Sequence, residues 1–224
     1  MEENIDITQD RLIWSLLDAP RLQPSSWDLF WSKWNEHAGA SYIAKDDPVG
    51  NKDSNYAATG KRTEFFKGLN IYAKDPAALS EGHWVLPYLD YREIFPNLLD
   101  DIHAACPWVS EVMFARLWQS TMSIPMHRDH TLEDVALRAM LYDENAKPTF
   151  KVFKPGAGVN YVDLPKDGSN WFVYNNKQCL HGSDKEEGVN KIILLVVHRC
   201  ADKSLMIDHL RSSSLKNPGR YAYG

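Results

Sequence analysis

Val112-Met-Phe-Ala-Arg-Leu-Trp118 is the first of six short segments whose reading decides the fold. The others are Ala136–Tyr142, Thr149–Phe153, Val159–Leu164, Asn170–Tyr174 and Lys191–Val197, all rich in β-branched and aromatic residues. Turn signals at Pro155-Gly156, Asp167-Gly168 and Asn175-Asn176 separate them. Short strands at intervals of about 8–12 residues, with no helical period between them, predict an antiparallel sandwich or barrel rather than a parallel sheet.

Upstream the texture differs. The first 40 residues predict helices: Arg11–Asp18 places Leu12 and Leu16 on one helical face, and Pro20 ends it. Ser25 or Ser26 then caps a second helix in which Trp27, Trp31 and Trp34 recur at i, i+4 and i+7. That stripe is either an aromatic cage for a ligand or a buried face, and helical spacing favours packing against a sheet. Lys45 to Gly68 is rich in Asp, Asn, Lys, Gly and Ser and predicts a long loop, a candidate flap whose Lys52, Lys61 and Arg62 could meet a substrate carboxylate. Leu69–Tyr72 predicts a short strand, and Tyr91–Ala105 a helix interrupted at Pro96. Beyond Asp202 a short helix over Ser204–Leu210 precedes a polar tail, either disordered or docked.

Composition bounds the rest. A chain of 224 residues that is 44% hydrophobic, with eight Trp, ten Tyr and eight Phe, suits one domain with a closed, aromatic-lined interior. A formal charge of −5 without runs of Lys or Arg predicts no nucleic-acid partner and leaves small or cationic ligands open. Cys106, Cys179 and Cys200 form no CxxC pair, which argues against a zinc ribbon and a disulfide framework. The acidic start lacks a signal-peptide pattern, and the longest apolar run, Ile192–Val197, is too short to cross a bilayer. No membrane and a cytoplasmic setting are the expectations.

Chemistry concentrates in Ile124-Pro-Met-His-Arg-Asp-His130. On a strand, His127 and Asp129 at i and i+2 project from one face, whereas His130 projects from the other. His181, in Gln178-Cys-Leu-His-Gly-Ser183, would supply a third group from a neighbouring strand. Two imidazoles and a carboxylate are the facial ligand set of non-haem Fe(II). Lys191, ten residues past His181, and Arg138, eleven past His127, are cations set among apolar residues, a costly arrangement unless an anion pairs with them. A kinase reading of His127-Arg128-Asp129 fails, because His130 and Asp134 stand where Leu and Asn are needed and no Asp-Phe-Gly exists.

Across residues 111 to 199 this pattern resembles the Fe(II)/2-oxoglutarate-dependent oxygenase superfamily. Arg138 adds a similarity to its aspartyl/asparaginyl β-hydroxylase and small-molecule proline hydroxylase branch, although Lys191 stands where that branch usually has Arg. The resemblance implies a mainly β fold with flanking helices: a double-stranded β-helix (jelly roll, cupin-like) core over 111–200, preceded by an α-rich N-terminal region over 1–110 and followed by a tail over 201–224. It implies that His127, Asp129 and His181 bind Fe(II), that Lys191 and Arg138 hold 2-oxoglutarate, and that O₂ is consumed. Halogenating members lack the carboxylate ligand, so Asp129 points to hydroxylation, with succinate and CO₂ as co-products. The implied substrate is a free amino acid or small derivative, with a protein or peptide side chain as the alternative. Arg116, Trp118 and Gln119, on the strand before His127, are either candidate contacts for it or core and sheet-face residues. A cupin-like metal enzyme remains a rival, although Glu133 is poorly spaced for it, and so does a binding module without metal.

Overall fold

A computed structural model describes residues 12–43, 63–77, 86–120, 123–128, 135–142, 150–154, 156–162, 164, 167–175, 179–184, 191–216 and 221–223. The elements run β1 (Leu12–Leu16), α1 (Trp27–His37), β2 (Gly39–Ile43), β3 (Thr63–Ala73), a 3-10 turn (Tyr91–Glu93), α2 (Leu98–Ala105), β4 (Val109–Ser120), β5 (Ile124–His127) and β6 (Val135–Tyr142). They continue with β7 (Phe150–Lys154), β8 (Gly158–Tyr161), β9 (Trp171–Asn175), β10 (His181–Ser183), β11 (Lys191–Cys200), α3 (Lys203–Lys216) and β12 (Tyr221–Tyr223). The molecule is mainly β, as the spacing of the strand segments predicts.

Two antiparallel sheets result. One has eight strands in the order β12-β1-β9-β6-β11-β4-β3-β2, the other four in the order β5-β10-β7-β8. Strand alternation sends successive residues of the large sheet to opposite sides, and both sides are covered. Leu117, Leu137, Ala139, Leu194 and Val196 join Phe30 and Trp34 of α1, Leu98 and Ile102 of α2, and Met206 and Leu210 of α3 in one apolar cluster. Ala136, Met140, Phe172, Tyr174 and Ile193, their neighbours in sequence, join Phe150 and Val152 of the small sheet in a second. The small sheet therefore packs on the face turned away from the helices.

Local chemistry accounts for several boundaries. Ser26 caps α1, its hydroxyl accepting from the Leu29 amide at 3.4 Å, and Asp28 sits in the first turn where the helix dipole favours an anion. The tryptophan stripe is packing: Trp34 is buried, and Trp27 and Trp31 lie partly buried against the helix-side cluster. Gly156 and Gly158, with φ of 78° and 73°, make the turn into β8, a backbone region that side chains with a Cβ resist. Asn170 ties the segment before α1 to the sheet: its amide oxygen accepts from the Leu22 N–H at 2.8 Å, and its amide nitrogen donates to the carbonyls of Leu22 and Met140, each at 3.0 Å.

Four expectations change. The helix expected over Arg11–Asp18 is β1, which pairs with β9 on one side and β12 on the other. Among the described residues up to 110, four strands begin beside two helices and a 3-10 turn, so this region is mixed rather than α-rich. Residues 63–68 of the expected loop belong to β3, paired with β2; the remainder of the candidate flap, with Lys52, Lys61 and Arg62, lies outside the described residues. The C-terminal helix is twice the expected length, and the tail docks: β12 pairs with β1, the Ser213 hydroxyl accepts from the Asp18 amide at 3.0 Å, and Lys216 pairs with Asp18 at 2.5 Å. Cys106 and Cys179 are buried and Cys200 is partly exposed, all as free thiols. No described helix is long and apolar enough to cross a membrane.

Candidate functional site

His127 ends β5 and His181 begins β10, and the antiparallel register sets them directly opposite each other. Their ring centroids are 4.5 Å apart with planes inclined by 46°. Close approach of the two strands depends on Gly182: a Cβ there would stand 2.6 Å from the Ile124 carbonyl oxygen and 3.1 Å from that of Pro125. The register slips between His181 and Ser183 at this point. A bulge of this kind re-aims the adjacent side chain, here His181.

The two rings are held alike. His127 Nδ1 lies 2.9 Å from the Pro125 carbonyl oxygen, and His181 Nδ1 lies 3.0 Å from that of Cys179. A carbonyl oxygen only accepts, so each Nδ1 carries a proton, and in the neutral ring the lone pair lies on Nε2. Fixing the tautomer through the other ring nitrogen is how proteins prepare imidazoles as metal ligands. Donor chemistry and proximity thus fit a divalent transition metal. Among the described residues no group of three His, Cys, Asp or Glu side chains is assembled; Asp129, the remaining ligand expected from the sequence, lies outside them, as do His130 and Glu133.

An aromatic wall connects this pair to a buried cation. Tyr174 packs on His181 at 4.5 Å between centroids, and Phe150 packs on both, 5.3 Å from Tyr174 and 5.7 Å from His181. Arg138, only 5% exposed, donates through Nη2 to the Tyr174 hydroxyl at 2.9 Å and through Nη1 to the Leu137 carbonyl at 2.9 Å. Its guanidinium carbon lies 5.2 Å from the Tyr174 ring centroid. Hydroxyl and carbonyl satisfy donors but do not offset the charge, so this is a fixed positive centre facing the small sheet.

The remaining predicted residues divide. Arg116 and Trp118 lie on the same side of β4 as the site, since Arg116 is opposite Leu195 and Leu195 is opposite Arg138. Gln119 is not brought there. It stands opposite Lys67 on the other side of β4, where the Lys67 ammonium lies 5.5 Å from the ring centroid of Trp34 in α1. Lys191 opens β11 opposite Tyr142, and its side chain lies outside the described portion. Sequence reasoning missed Tyr174 and Phe150, which look like ordinary strand aromatics, and Gly182, whose only signal was its place directly after His181.

No protein-family model and no curated protein matches the chain. Among solved structures, the crystal structure of EvdMO1 is similar with a TM-score of 0.41 and 12% identity, covering 86% of this chain. The chain spans about half of that protein's length, 48%.

Proposed function

We propose that the chain is a non-haem Fe(II)- and 2-oxoglutarate-dependent dioxygenase on a double-stranded β-helix, hydroxylating an unactivated C–H bond of a free amino acid or small derivative. The observation that carries this reading is the His127–His181 pair, two tautomer-fixed imidazoles side by side next to a buried, charge-unbalanced arginine. His127, Asp129 and His181 would hold the iron. Bound there, iron supplies with O₂ the oxidation that converts 2-oxoglutarate to succinate and CO₂ and hydroxylates the substrate.

The chain's own residues orient and exclude. The carbonyls of Pro125 and Cys179 select the neutral tautomer whose Nε2 offers its lone pair for ligation. Arg138 holds the far carboxylate of 2-oxoglutarate by charge-assisted hydrogen bonds, its guanidinium oriented by Tyr174. Lys191 adds a second cation to that carboxylate. Phe150, Phe172 and Tyr174 exclude water from the ligand side of His181.

The test is succinate formation from 2-oxoglutarate by the Fe(II)-reconstituted chain without added substrate. His127→Ala and His181→Ala should each abolish it with folding retained by circular dichroism. Normal turnover in either variant defeats the assignment.

A further inference from the structure

Arg138 is not the only charged side chain on the face turned to the small sheet. Arg116 lies in the same cross-strand row, separated from Arg138 by Leu195 alone. Strand spacing puts the two Cα atoms about 10 Å apart. Arg116 is partly buried, and its Nε is sealed from solvent without a hydrogen-bond partner. Its guanidinium carbon lies 4.6 Å from the Phe114 ring centroid. Among the described residues neither arginine has an ion-pair partner.

The residue opposite Arg116 on β3 is Asn70, fully buried, with its amide oxygen also unpaired. A neutral acceptor can satisfy a donor but leaves the charge unbalanced. Burial, and then the charge of Arg138, pull the Arg116 pKa down to about 10, so it is still a cation at neutral pH. Two buried or partly buried cations in one cross-strand row repel each other, and the hydrogen bonds and ring contact they make leave that repulsion uncompensated. One anion bound at Arg138 neutralises that centre and leaves Arg116 unbalanced.

We infer that Arg116 forms a second anion position, receiving the carboxylate of the substrate beside the 2-oxoglutarate position at Arg138. Phe114 and Trp118, two residues to either side along β4, supply apolar contact for the rest of the molecule. A free amino acid has the carboxylate this position needs, whereas an internal peptide residue carries its α-carboxyl as a neutral amide. Naming the ligand a substrate rests on the oxygenase reading; the anion position does not.

The experiment compares the common L-amino acids as free acids and as carboxamides, by their thermal stabilisation of the full chain with 2-oxoglutarate and Mn(II). At least one free acid should stabilise the chain and its amide should not. Arg116→Gln should weaken binding of that acid about tenfold or more, the scale of a lost charge-assisted hydrogen bond, and Arg116→Lys should restore part of it. Affinity for 2-oxoglutarate should stay within about twofold in both variants, because that anion sits at Arg138. Equal shifts from acid and amide, an acid shift unchanged in Arg116→Gln, or no shift from any acid each overturn the inference. Should Arg116→Gln fail to fold, the acid–amide comparison in the wild type and in Arg116→Lys decides the question. Absence of 2-oxoglutarate binding to the wild type instead defeats the oxygenase reading, a separate outcome.

Discussion

The two faces of the large sheet are built from alternate residues of the same strands, yet they do opposite work. On β11, Ile192, Leu194 and Val196 meet the helices while Ile193 and Leu195 face the small sheet. On β6, Leu137, Ala139 and Leu141 take the helix side, and Ala136, Arg138 and Met140 the other. The helix-side cluster is built of apolar side chains, Cys106 and Met206 among them, and His198 follows Val196 on that side of β11. The opposite face carries two arginines and a tyrosine under a histidine pair. Apolar burial of about 25 cal/mol per Å² accumulates on the first face, whereas the second includes charges whose burial costs stability. Under the proposed function, what those charges serve is the anion that binds beside them.

That contrast can be broken from either side. Leu194→Ala on the helix side should lower unfolding free energy by about 2–5 kcal/mol, the range for buried Leu truncation, read by urea denaturation. It should leave 2-oxoglutarate affinity nearly unchanged. His198, the next residue in that series on β11, tests the same strand through pH. It is 6% exposed, and burial, outweighing a backbone contact with Val135 and joined by the charge of Arg138, lowers its pKa from 6.5 to about 4. The folded state therefore binds its proton less readily than the unfolded state does. Stability from this group is complete above pH about 6.5 and is lost as pH falls towards about 4, by at most about 3 kcal/mol. His198→Phe should flatten the acid limb of the stability–pH curve, and an unchanged limb would refute the burial argument.

The smallest stability effect is expected on the site face. Arg138→Met removes a buried, unneutralised charge and fills its space, so the unfolding free energy should change by less than about 1 kcal/mol. Affinity for 2-oxoglutarate should nonetheless fall about 10-fold to 100-fold, measured by calorimetry on the Mn(II) form. A large loss of stability with binding retained would make Arg138 a structural residue and remove the difference between the faces.

How legible the site was depends on the residue. His127, His181 and Arg138 carry rare chemistry in strand contexts, and their residue types together with their spacing singled them out. Tyr174 and Phe150 did not stand out, because an aromatic in a buried strand has the same pattern whether it packs on hydrocarbon or on an imidazole. Gln119 was grouped with Arg116 and Trp118 by proximity in sequence, yet one step along a strand reverses the face. Gly182 became informative only once the carbonyls of Ile124 and Pro125 were seen against it.

Period and punctuation determined, by themselves, that Val112–Val197 holds several antiparallel strands and that a capped helix carries Trp27, Trp31 and Trp34, because alternation and capping are local properties. Leu12–Leu16 shows the limit. Residues 14–17 are all buried, with Trp14 and Leu16 in the site-side cluster and Leu17 in the helix-side one. A run covered on both sides loses the alternation that marks a strand, and a short one reads as readily as helix. Only pairing with β9 and β12, far away in the chain, settles its conformation. The same long-range pairing, β5 against β10, sets His127 opposite His181, since register between distant strands is decided by what the assembled faces bury.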